Sequence, residues 1–268
     1  MIELDRDTLR KLQLTELELL KEADRICKKC GIHYNIIAGT LLGAVRHGGF
    51  IPWDDDADIA MLRPEYEKFR KACKTELDRS KFYFQDHRNT SGYRWGYGKL
   101  RRKNTLFLRE NQEHMPYEQG VFIDIFPLDY VPERYFFRSL HNLECFSYRK
   151  FFWSEVGKIA DRNPLMRGIY GLMSRVPEKK LKKSFNKFIY RSDRRKTEWV
   201  RILTFPTPNR AYGYLAKWYE DSEEIQFEGI PFVGIRDYDG YLKFKFGNYR
   251  ELPPEGERKV HPVSKIKL

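Results

Sequence analysis

The chain has 268 residues, 41% hydrophobic and 15% aromatic, and its 50 Lys and Arg against 38 Asp and Glu give a formal charge of +12. This composition excludes an intrinsically disordered chain, and four cysteines are too few for a disulfide scaffold. The positive charge favours an acidic partner, such as nucleic acid, a nucleotide phosphate or an anionic membrane surface.

The start of the chain gives no sign of export. Residues 1–5 form no apolar signal segment, and no uninterrupted apolar run is long enough to cross a bilayer. We therefore predict a reduced, soluble, cytoplasmic protein.

The first half of the chain alternates helical and extended patterns. Leucines at helical spacing predict a first helix ahead of Gly31, which is a suitable stop signal. Thr40, which follows Gly39, is a candidate N-cap for a short second helix. We predict helices over 7–29, 40–47 and 64–77, and strands over 34–38, 59–62, 81–86, 93–101, 105–108 and 121–126.

The second half contains a long, basic, helical region between strands. Its breaks are predicted near Asn163-Pro164 and Val176-Pro177. Beyond it we predict strands over 199–205 and 225–235, a helix over 238–246 and an irregular tail after 252. Strands on both sides of these helices predict one mixed α/β (α+β) domain over 1–268, with a basic helical insertion over 133–196.

Four carboxylates, Asp54, Asp55, Asp56 and Asp58, fall within five residues with no Lys or Arg between them. Like charges this close repel, and a divalent cation removes the repulsion. Because side chains alternate along an extended chain, Asp56 and Asp58 point to the same side. Carboxylate oxygens suit Mg²⁺ or Mn²⁺, so we predict a metal site here. Asp54 and Asp55 either orient the ligands or form a solvated turn.

Asp124 is the candidate for a third metal ligand. It is the only charge between Gly120 and Leu128, so its burial requires a partner. The alternative is a hydrogen-bonded carboxylate of the core. Three carboxylates around a metal and a phosphate predict phosphoryl transfer, in which Asp124 is also the candidate to take the proton of the attacking hydroxyl.

Basic residues lie in two places suited to phosphate binding. Lys99 and Arg101 share one face of a predicted strand, whereas Arg102 points to solvent; the alternative is a solvated basic edge strand. Arg46 and His47 end the helix before the aspartates. They are either phosphate ligands or partners of the helix dipole.

These motifs together resemble a known family. The Gly39-Thr40 turn at a helix start, the Asp56-x-Asp58 strand and the aspartate at 124 are similar to the nucleotidyltransferase fold. The string Gly-Thr-Leu-Leu-Gly-Ala-Val-Arg-His-Gly-Gly-Phe-Ile-Pro-Trp-Asp-Asp-Asp over 39–56 resembles the LicD family, the bacterial relatives of fukutin. The likeness extends through 99–105, 123–129 and 241–254.

The resemblance implies a nucleotidyltransferase-like core sheet and a metal-dependent phosphotransferase. Members of that family move phosphocholine, or a related phospho-alcohol, from a CDP-activated donor onto a sugar hydroxyl of teichoic acid, lipopolysaccharide or capsule. The implied cofactor is Mg²⁺ or Mn²⁺, and the implied partners are CDP-choline or another CDP-alcohol and a lipid-linked glycan. The catalytic and metal-binding candidates are Asp56, Asp58 and Asp124. The substrate-binding candidates are Gly39, Thr40, Arg46, His47, Trp53, Lys99 and Arg101.

A choline group would require a receptor of its own. Its quaternary ammonium donates no hydrogen bond, so aromatic rings are its natural partners. Trp53, Tyr93, Trp95 and Tyr97 lie in or near the site segments, and the alternative for each of them is core packing.

Three further segments leave alternatives open. Cys27, Cys30 and His33 have a spacing compatible with zinc, against ordinary thiols on a helix. His261 either folds back over the site or belongs to a disordered tail. The segment 175–196 holds ten Lys or Arg against two acids, and it is either a solvated helix on the body or an interfacial helix that touches anionic lipid.

Two other functions remain as alternatives. The same fold could transfer a nucleotidyl group to a sugar phosphate or a small alcohol, in which case the product keeps the nucleotide. A basic nucleic-acid-binding protein without catalysis fits the charge, but no helix-turn-helix, zinc-finger or RNA-recognition signature is present. We therefore expect no nucleic-acid partner.

Overall fold

The computed structural model describes residues 4–194, 196–209, 212–258 and 260–268. Within these ranges the chain forms eight α-helices and eleven strands, which confirms the mixed α/β prediction. The helices are α1 (Arg6–Cys30), α2 (Ala38–His47), α3 (Arg63–Ala72), α4 (Tyr135–Ala160), α5 (Pro164–Ser174), α6 (Glu178–Ser192), α7 (Lys217–Glu220) and α8 (Tyr238–Phe246). The strands are β1 (Asn35–Ile36), β2 (Asp58–Leu62), β3 (Phe82–Gln85), β4 (Gly98–Arg102), β5 (Leu106–Arg109), β6 (Phe122–Tyr130), β7 (Trp199–Arg201), β8 (Tyr214–Leu215), β9 (Ser222–Phe227), β10 (Ile230–Ile235) and β11 (Val263–Lys267).

The main sheet is mixed and centres on β6. Its strands lie in the order β3-β4-β6-β2-β1-β10-β9, and β7 and β8 extend from the far part of β6. The β2–β6 and β1–β10 pairs are parallel, and the other pairs are antiparallel. All nine residues of β6 are buried, as expected for a strand covered on both faces. This arrangement brings β2 and β4 to either side of the strand that carries Asp124.

Helix α1 forms as predicted and contains one unusual residue. Asp5 caps its amino end by accepting a hydrogen bond from the Thr8 N–H (2.8 Å), and Gly31 ends it with a left-handed φ of +61°. Its apolar stripe is interrupted by Glu16, which is buried. A buried carboxyl group in such a stripe requires a local reason, which lies in the candidate site.

The predicted N-cap at Thr40 is wrong. Helix α2 begins two residues earlier, at Ala38, whose φ of +51° lies in the left-handed region that non-glycine residues rarely adopt. Thr40 therefore lies within the helix. Its hydroxyl oxygen accepts a hydrogen bond from the backbone N–H of Asp58 (2.8 Å), so it holds the start of β2 instead of capping α2.

Several other elements differ from the predictions. The predicted strand over 93–101 begins at Gly98, and the predicted helix over 64–77 ends at Ala72. The predicted strand over 225–235 is a hairpin of β9 and β10 that turns at Glu228-Gly229, both of which have positive φ. The tail is not irregular throughout, because β11 pairs with β5 in a separate two-stranded sheet.

Helices α4, α5 and α6 follow one another, with breaks at the predicted positions. Asn163 caps α5 by accepting a hydrogen bond from the Leu165 N–H (2.9 Å). The apolar stripe of α6 is turned inward, where it joins Cys145 and Phe152 of α4 in a second core cluster. The buried members of this stripe are Leu181, Phe185, Phe188 and Ile189. The stripe that suggested lipid contact by 175–196 is thus occupied by packing on the body.

Among the residues that the structure describes, no helix combines the length and the apolar character needed to cross a membrane.

Candidate active site

Three predicted site residues form one row across three neighbouring strands. Asp58 of β2 lies opposite Asp124 of β6 in the parallel ladder, and Asp124 lies opposite Lys99 of β4 in the antiparallel ladder. Residues in register point to the same face, so the side chains converge. Lys99 donates a hydrogen bond to Asp124, and both side chains are buried. The pairing of the three strands therefore brings two acids and one basic residue together.

The turn before β2 adds further carboxylates to this row. Asp55 is buried and accepts hydrogen bonds from the backbone N–H of His261 (3.0 Å) and from its ring, with Nδ1 2.9 Å from Oδ1. The same ring nitrogen lies 3.6 Å from Asp56, and the Arg109 guanidinium lies 3.9 Å from the same carboxylate. The prediction that His261 folds back over the site is confirmed.

Gly39 lies close to Asp54. A Cβ atom at this position would lie 2.6 Å from a carboxylate oxygen of Asp54, so that carboxylate would have to move. The amino end of α2 is therefore brought against the aspartate turn, where its partial positive charge favours carboxylate or phosphate groups.

The acids of this cluster are under-neutralised. Burial, and then repulsion from Asp56 and Asp124, raise the pKa of Asp58 well above its usual range. Burial and the aspartates likewise raise the pKa of Glu16. Among the described residues, none forms a hydrogen bond with Oδ1 of Asp58, although this atom is buried. Buried acceptors of this kind normally have a partner, so the donor set fits a divalent cation.

Two opposing effects act on the pKa of Lys99. Burial lowers the pKa of Lys99 to about 7, against the opposing effect of Asp124. Its ammonium lies over the ring of Phe122, 3.2 Å from the centroid, and the guanidinium groups of Arg101 and Arg109 approach the same ring at 5.0 and 5.1 Å. Three basic side chains thus approach one aromatic ring beside Asp124.

These three cations line a cavity of about 290 Å³. Helix α4 contributes two more, Arg149 and Lys150. The other walls are largely aromatic and include Trp95, Tyr97, Phe107, Phe122, Phe152, Trp153 and Phe205. A cavity with several cations and flat apolar walls is chemically suited to a nucleotide.

A second cavity, of about 100 Å³, lies on the Asp58 side of the cluster. Apart from Asp58, its charged lining residue is Lys245, whose ammonium donates a hydrogen bond to the Tyr214 hydroxyl (3.2 Å). Five aromatic side chains line it: Phe126, Phe205, Tyr214, Tyr219 and Tyr241. Phe205 and Pro206 line both cavities, so the two are neighbours.

Larger depressions lie elsewhere. One of about 900 Å³ is lined by 87–91 and α6, and one of about 1040 Å³ by 130–144 and 191–197. Neither has Asp56, Asp58 or Asp124 among its described lining residues. The cavity of about 100 Å³ is lined by Asp58, and that of about 290 Å³ by Lys99 and Arg109, which pair with Asp124 and Asp56, so these two cavities adjoin the carboxylates.

Two comparisons with known proteins cover the segment that contains this site. Residues 31–155 match the family model described as the LicD/FKTN/FKRP nucleotidyltransferase domain, a span that contains all three metal-ligand candidates. The chain therefore carries a LicD-type domain over these residues. It is 28% identical over 263 residues to the lipopolysaccharide cholinephosphotransferase LicD of Haemophilus influenzae, and the alignment covers 96% of each chain. Uncharacterized proteins of Rickettsia typhi and Rickettsia prowazekii are 43% and 46% identical over 61 and 55 residues, about a fifth of each chain.

Three residues predicted to bind substrate, Arg46, His47 and Trp53, lie apart from the row of carboxylates. Arg46 donates hydrogen bonds to the carbonyl oxygens of Tyr249 (2.9 Å) and Glu251 (3.2 Å), which ties α2 to the C-terminal segment. The rings of His47 and Trp53 meet edge to face, with centroids 6.3 Å apart. The structure does not group these three with the row of Asp58, Asp124 and Lys99, and their binding role stays a prediction.

The cysteine segment shows ordinary contacts. Cys27 is buried, which raises the pKa of its thiol, and Cys30 is exposed. The His33 ring is engaged by the Tyr219 carbonyl and the Ser222 hydroxyl, each at 2.9 Å. In the described ranges, the group of ligand atoms close enough to share a metal is Asp55, Asp56 and His261, whose atoms lie within 4.8 Å of one another.

Several residues of the candidate site were not predicted from the sequence. Arg109 ends β5 one residue beyond the predicted strand, so only a boundary error hid it. Glu16 carried a usable signal, because it stands where the apolar stripe of α1 requires a leucine. The aromatic cavity carried none, because its rings come from 126, 205, 214–219 and 241, which are distant along the chain.

Proposed function

We propose that this protein transfers phosphocholine from CDP-choline to a sugar hydroxyl of lipopolysaccharide and that it requires a divalent cation, Mg²⁺ or Mn²⁺. The observation that carries the proposal is the row of Asp58, which has a buried carboxylate oxygen without a hydrogen-bond partner among the described residues, and Asp124, next to a cationic cavity and an aromatic one. The name of the Haemophilus influenzae relative supports choline phosphate as the cargo and lipopolysaccharide as the acceptor.

Asp56, Asp58 and Asp124 would hold the cation. When bound, it would neutralise the donor diphosphate and polarise the phosphorus that is attacked. The chain itself supplies further positive charge, because Lys99 and Arg109 lie at Asp124 and Asp56. Charge neutralisation and positioning are the main requirements of phosphoryl transfer.

The two cavities suit the two ends of the donor. Lys99, Arg101 and Arg109 suit the diphosphate, and the aromatic walls of the same cavity suit the base. The smaller cavity suits the quaternary ammonium of choline because aromatic faces attract it, and its two charged lining residues, Asp58 and Lys245, have opposite signs. This assignment differs from the predicted receptor, because Trp53, Tyr93, Trp95 and Tyr97 are not among the lining residues of this cavity.

The reaction balances with these groups. The acceptor hydroxyl oxygen attacks the phosphorus that bears choline and forms a new P–O bond. The bond from that phosphorus to the bridging oxygen breaks, and CMP leaves with the electron pair. The hydroxyl proton passes to a base, for which Asp124, itself a member of the proposed cation-binding row, is the candidate.

The direct test is release of CMP from CDP-choline in the presence of lipopolysaccharide that lacks phosphocholine. We expect CMP and phosphocholine-labelled lipopolysaccharide in equal amounts, loss of both with a chelator, and recovery when Mg²⁺ or Mn²⁺ is added in excess. Parallel reactions with CDP-ethanolamine, CDP-glycerol and CDP-ribitol identify the cargo. A nucleotide that stays on the acceptor would establish nucleotidyl transfer and contradict the proposal.

The aromatic cavity gives a prediction about donor choice. Replacing Phe126 by leucine keeps an apolar side chain but removes a ring face from the cavity. We expect the KM for CDP-choline to rise about tenfold, because a desolvated cation–π contact contributes up to about 2 kcal/mol. The KM for CDP-glycerol, if that donor is used at all, should change by less than about twofold because glycerol has no cation.

Phe69→Leu is the matched control for Phe126→Leu. Phe69 is equally a buried core ring but lies against Phe84, outside both cavities. It should lower the melting temperature without changing either KM. An equal KM change in the two variants would refute the assignment of the aromatic cavity to choline.

A further inference from the structure

The exposed large apolar side chains of this protein are concentrated on α4 and α5. Leu143, Leu165 and Leu172 are 61, 72 and 64% exposed, values that are unusual for leucine on helices of a folded domain. The full set on these helices is Tyr135, Phe136, Phe137, Leu140, Leu143, Phe146, Trp153, Ile159, Leu165, Ile169 and Leu172.

Some of these residues form regular outward stripes. On α5, Leu165, Ile169 and Leu172 are spaced i, i+4, i+7, which aligns them on one face. Phe136, Leu140 and Leu143 repeat the same spacing on α4. An amphipathic helix normally turns such a stripe toward the core. Here the stripes face outward, so each helix presents an unpartnered apolar face.

Basic side chains border these faces. Arg149 and Lys150 lie over the exposed ring of Phe146, 5.4 and 5.5 Å from its centroid. Arg162 and Arg167 are exposed at the start of α5. An apolar face bordered by cations is complementary to an anionic bilayer, whose headgroups attract the cations while its acyl chains accept the apolar side chains.

The acids of α4 do not cancel this charge. Glu144 forms an ion pair with Arg191 of α6, and Glu155 forms ion pairs with Arg94 and Lys158. Each glutamate is therefore already matched by at least one cation.

We propose that α4 and α5 form a docking surface for an anionic lipid bilayer. This surface differs from the segment 175–196, whose apolar stripe is buried. It also bears on the transfer reaction, because Arg149, Lys150 and Trp153 of α4 line the cationic cavity. Docking would bring that cavity to a membrane in which an acceptor lipid is anchored; only this last consequence rests on the proposed function.

The experiment is flotation of the full chain with vesicles of phosphatidylcholine alone or of phosphatidylcholine with phosphatidylglycerol. We expect the chain to float with the anionic vesicles and to dissociate from them as salt is raised. Leu165→Gln with Leu172→Gln should lower partitioning at least about tenfold, since each leucine loses its apolar burial. Glutamine is a good helix former, so α5 should persist.

A second pair of leucines provides the matched control. Leu14 and Leu252 are 48 and 54% exposed but lie outside α4 and α5, so Leu14→Gln with Leu252→Gln should leave flotation unchanged. Circular dichroism of both double variants should give the wild-type melting temperature. The proposal fails if wild-type protein does not float with anionic vesicles, or if the control variant loses binding equally.

Sedimentation without lipid tests whether a second copy of the chain covers this surface instead. A concentration-dependent dimer that the α5 variant abolishes would show that a second copy covers the face, and it would overturn the proposal. A monomer at all concentrations supports it. The flotation assay uses neither donor nor acceptor, so its failure is separate from failure of the CMP-release assay.

Discussion

Replacing Asp58 by asparagine is expected to lower the rate of CMP release about a thousandfold while raising the stability of the metal-free protein. The loss follows from removing a carboxylate from the proposed cation-binding row, because charge stabilisation by a bound cation contributes several kcal/mol in the transition state. Mg²⁺ should raise the melting temperature of the wild type but not that of this variant. CMP release and thermal unfolding with and without Mg²⁺ are the two measurements.

The stability gain should depend on pH with a definite sign. Because the folded-state pKa of Asp58 is raised, first by burial, the folded protein holds this proton more tightly than the unfolded chain. Metal-free wild type therefore loses stability as pH rises from the usual aspartate pKa through the raised one. Asparagine does not titrate, so the difference in melting temperature between variant and wild type should widen from pH 5 to pH 8.

Asp221→Asn is the control for this experiment. Asp221 is exposed and pairs with Arg236 on the surface, where an ion pair contributes at most about 1 kcal/mol. It should change neither CMP release nor the response to Mg²⁺. Near-normal turnover of Asp58→Asn, or a difference in melting temperature that narrows with rising pH, would refute the role given to Asp58.

Asp124 and Asp129 lie five residues apart on β6, and their substitution should have different effects: the first on activity and the second on stability. Asp129→Asn is expected to cost about 3–5 kcal/mol in the free energy of unfolding, because it leaves the buried Arg63 guanidinium without its carboxylate. Arg63 donates two hydrogen bonds to Asp129, at 2.8 and 2.6 Å, and both residues are buried. Urea unfolding measures the loss.

Asp124→Asn should abolish CMP release with a much smaller loss of stability. Its buried partner is Lys99, whose pKa of about 7 lets it release its proton near neutral pH when the carboxylate is removed. Arg63 cannot lose its charge in this way, because a guanidinium stays protonated. Equal losses in the two variants would contradict this distinction between a site carboxylate and a structural one.

The core of the site could be predicted because strand geometry is local. Alternation along β2 and β4 is enough to orient Asp58 and Lys99, and the isolated charge in an apolar strand identified Asp124. Pairing of these strands then brings the three residues into register. The sequence motif thus contained most of the geometric information.

Features that depend on long-range contacts could not be predicted in the same way. The cap pattern at Thr40 was misleading because the Asp58 N–H uses that hydroxyl. Strand β11 was missed because Val263 is its one buried residue, which leaves little apolar alternation to detect. For α6 the stripe was correct, but periodicity does not say whether a stripe faces the body or a lipid surface. Here the body is the partner.

The position of His261 makes the order of synthesis relevant. Asp55 and Asp56 leave the ribosome some two hundred residues before the imidazole that pairs with them, as the sequence separation of 206 residues in the Asp55–His261 hydrogen bond shows. Until 261–267 have emerged and β11 has paired with β5, the acidic turn lacks this hydrogen-bond partner. A nascent chain stalled before that point would hold nearly the whole sheet and still present an unfinished site. Residues 261–267 would therefore decide when the site is complete.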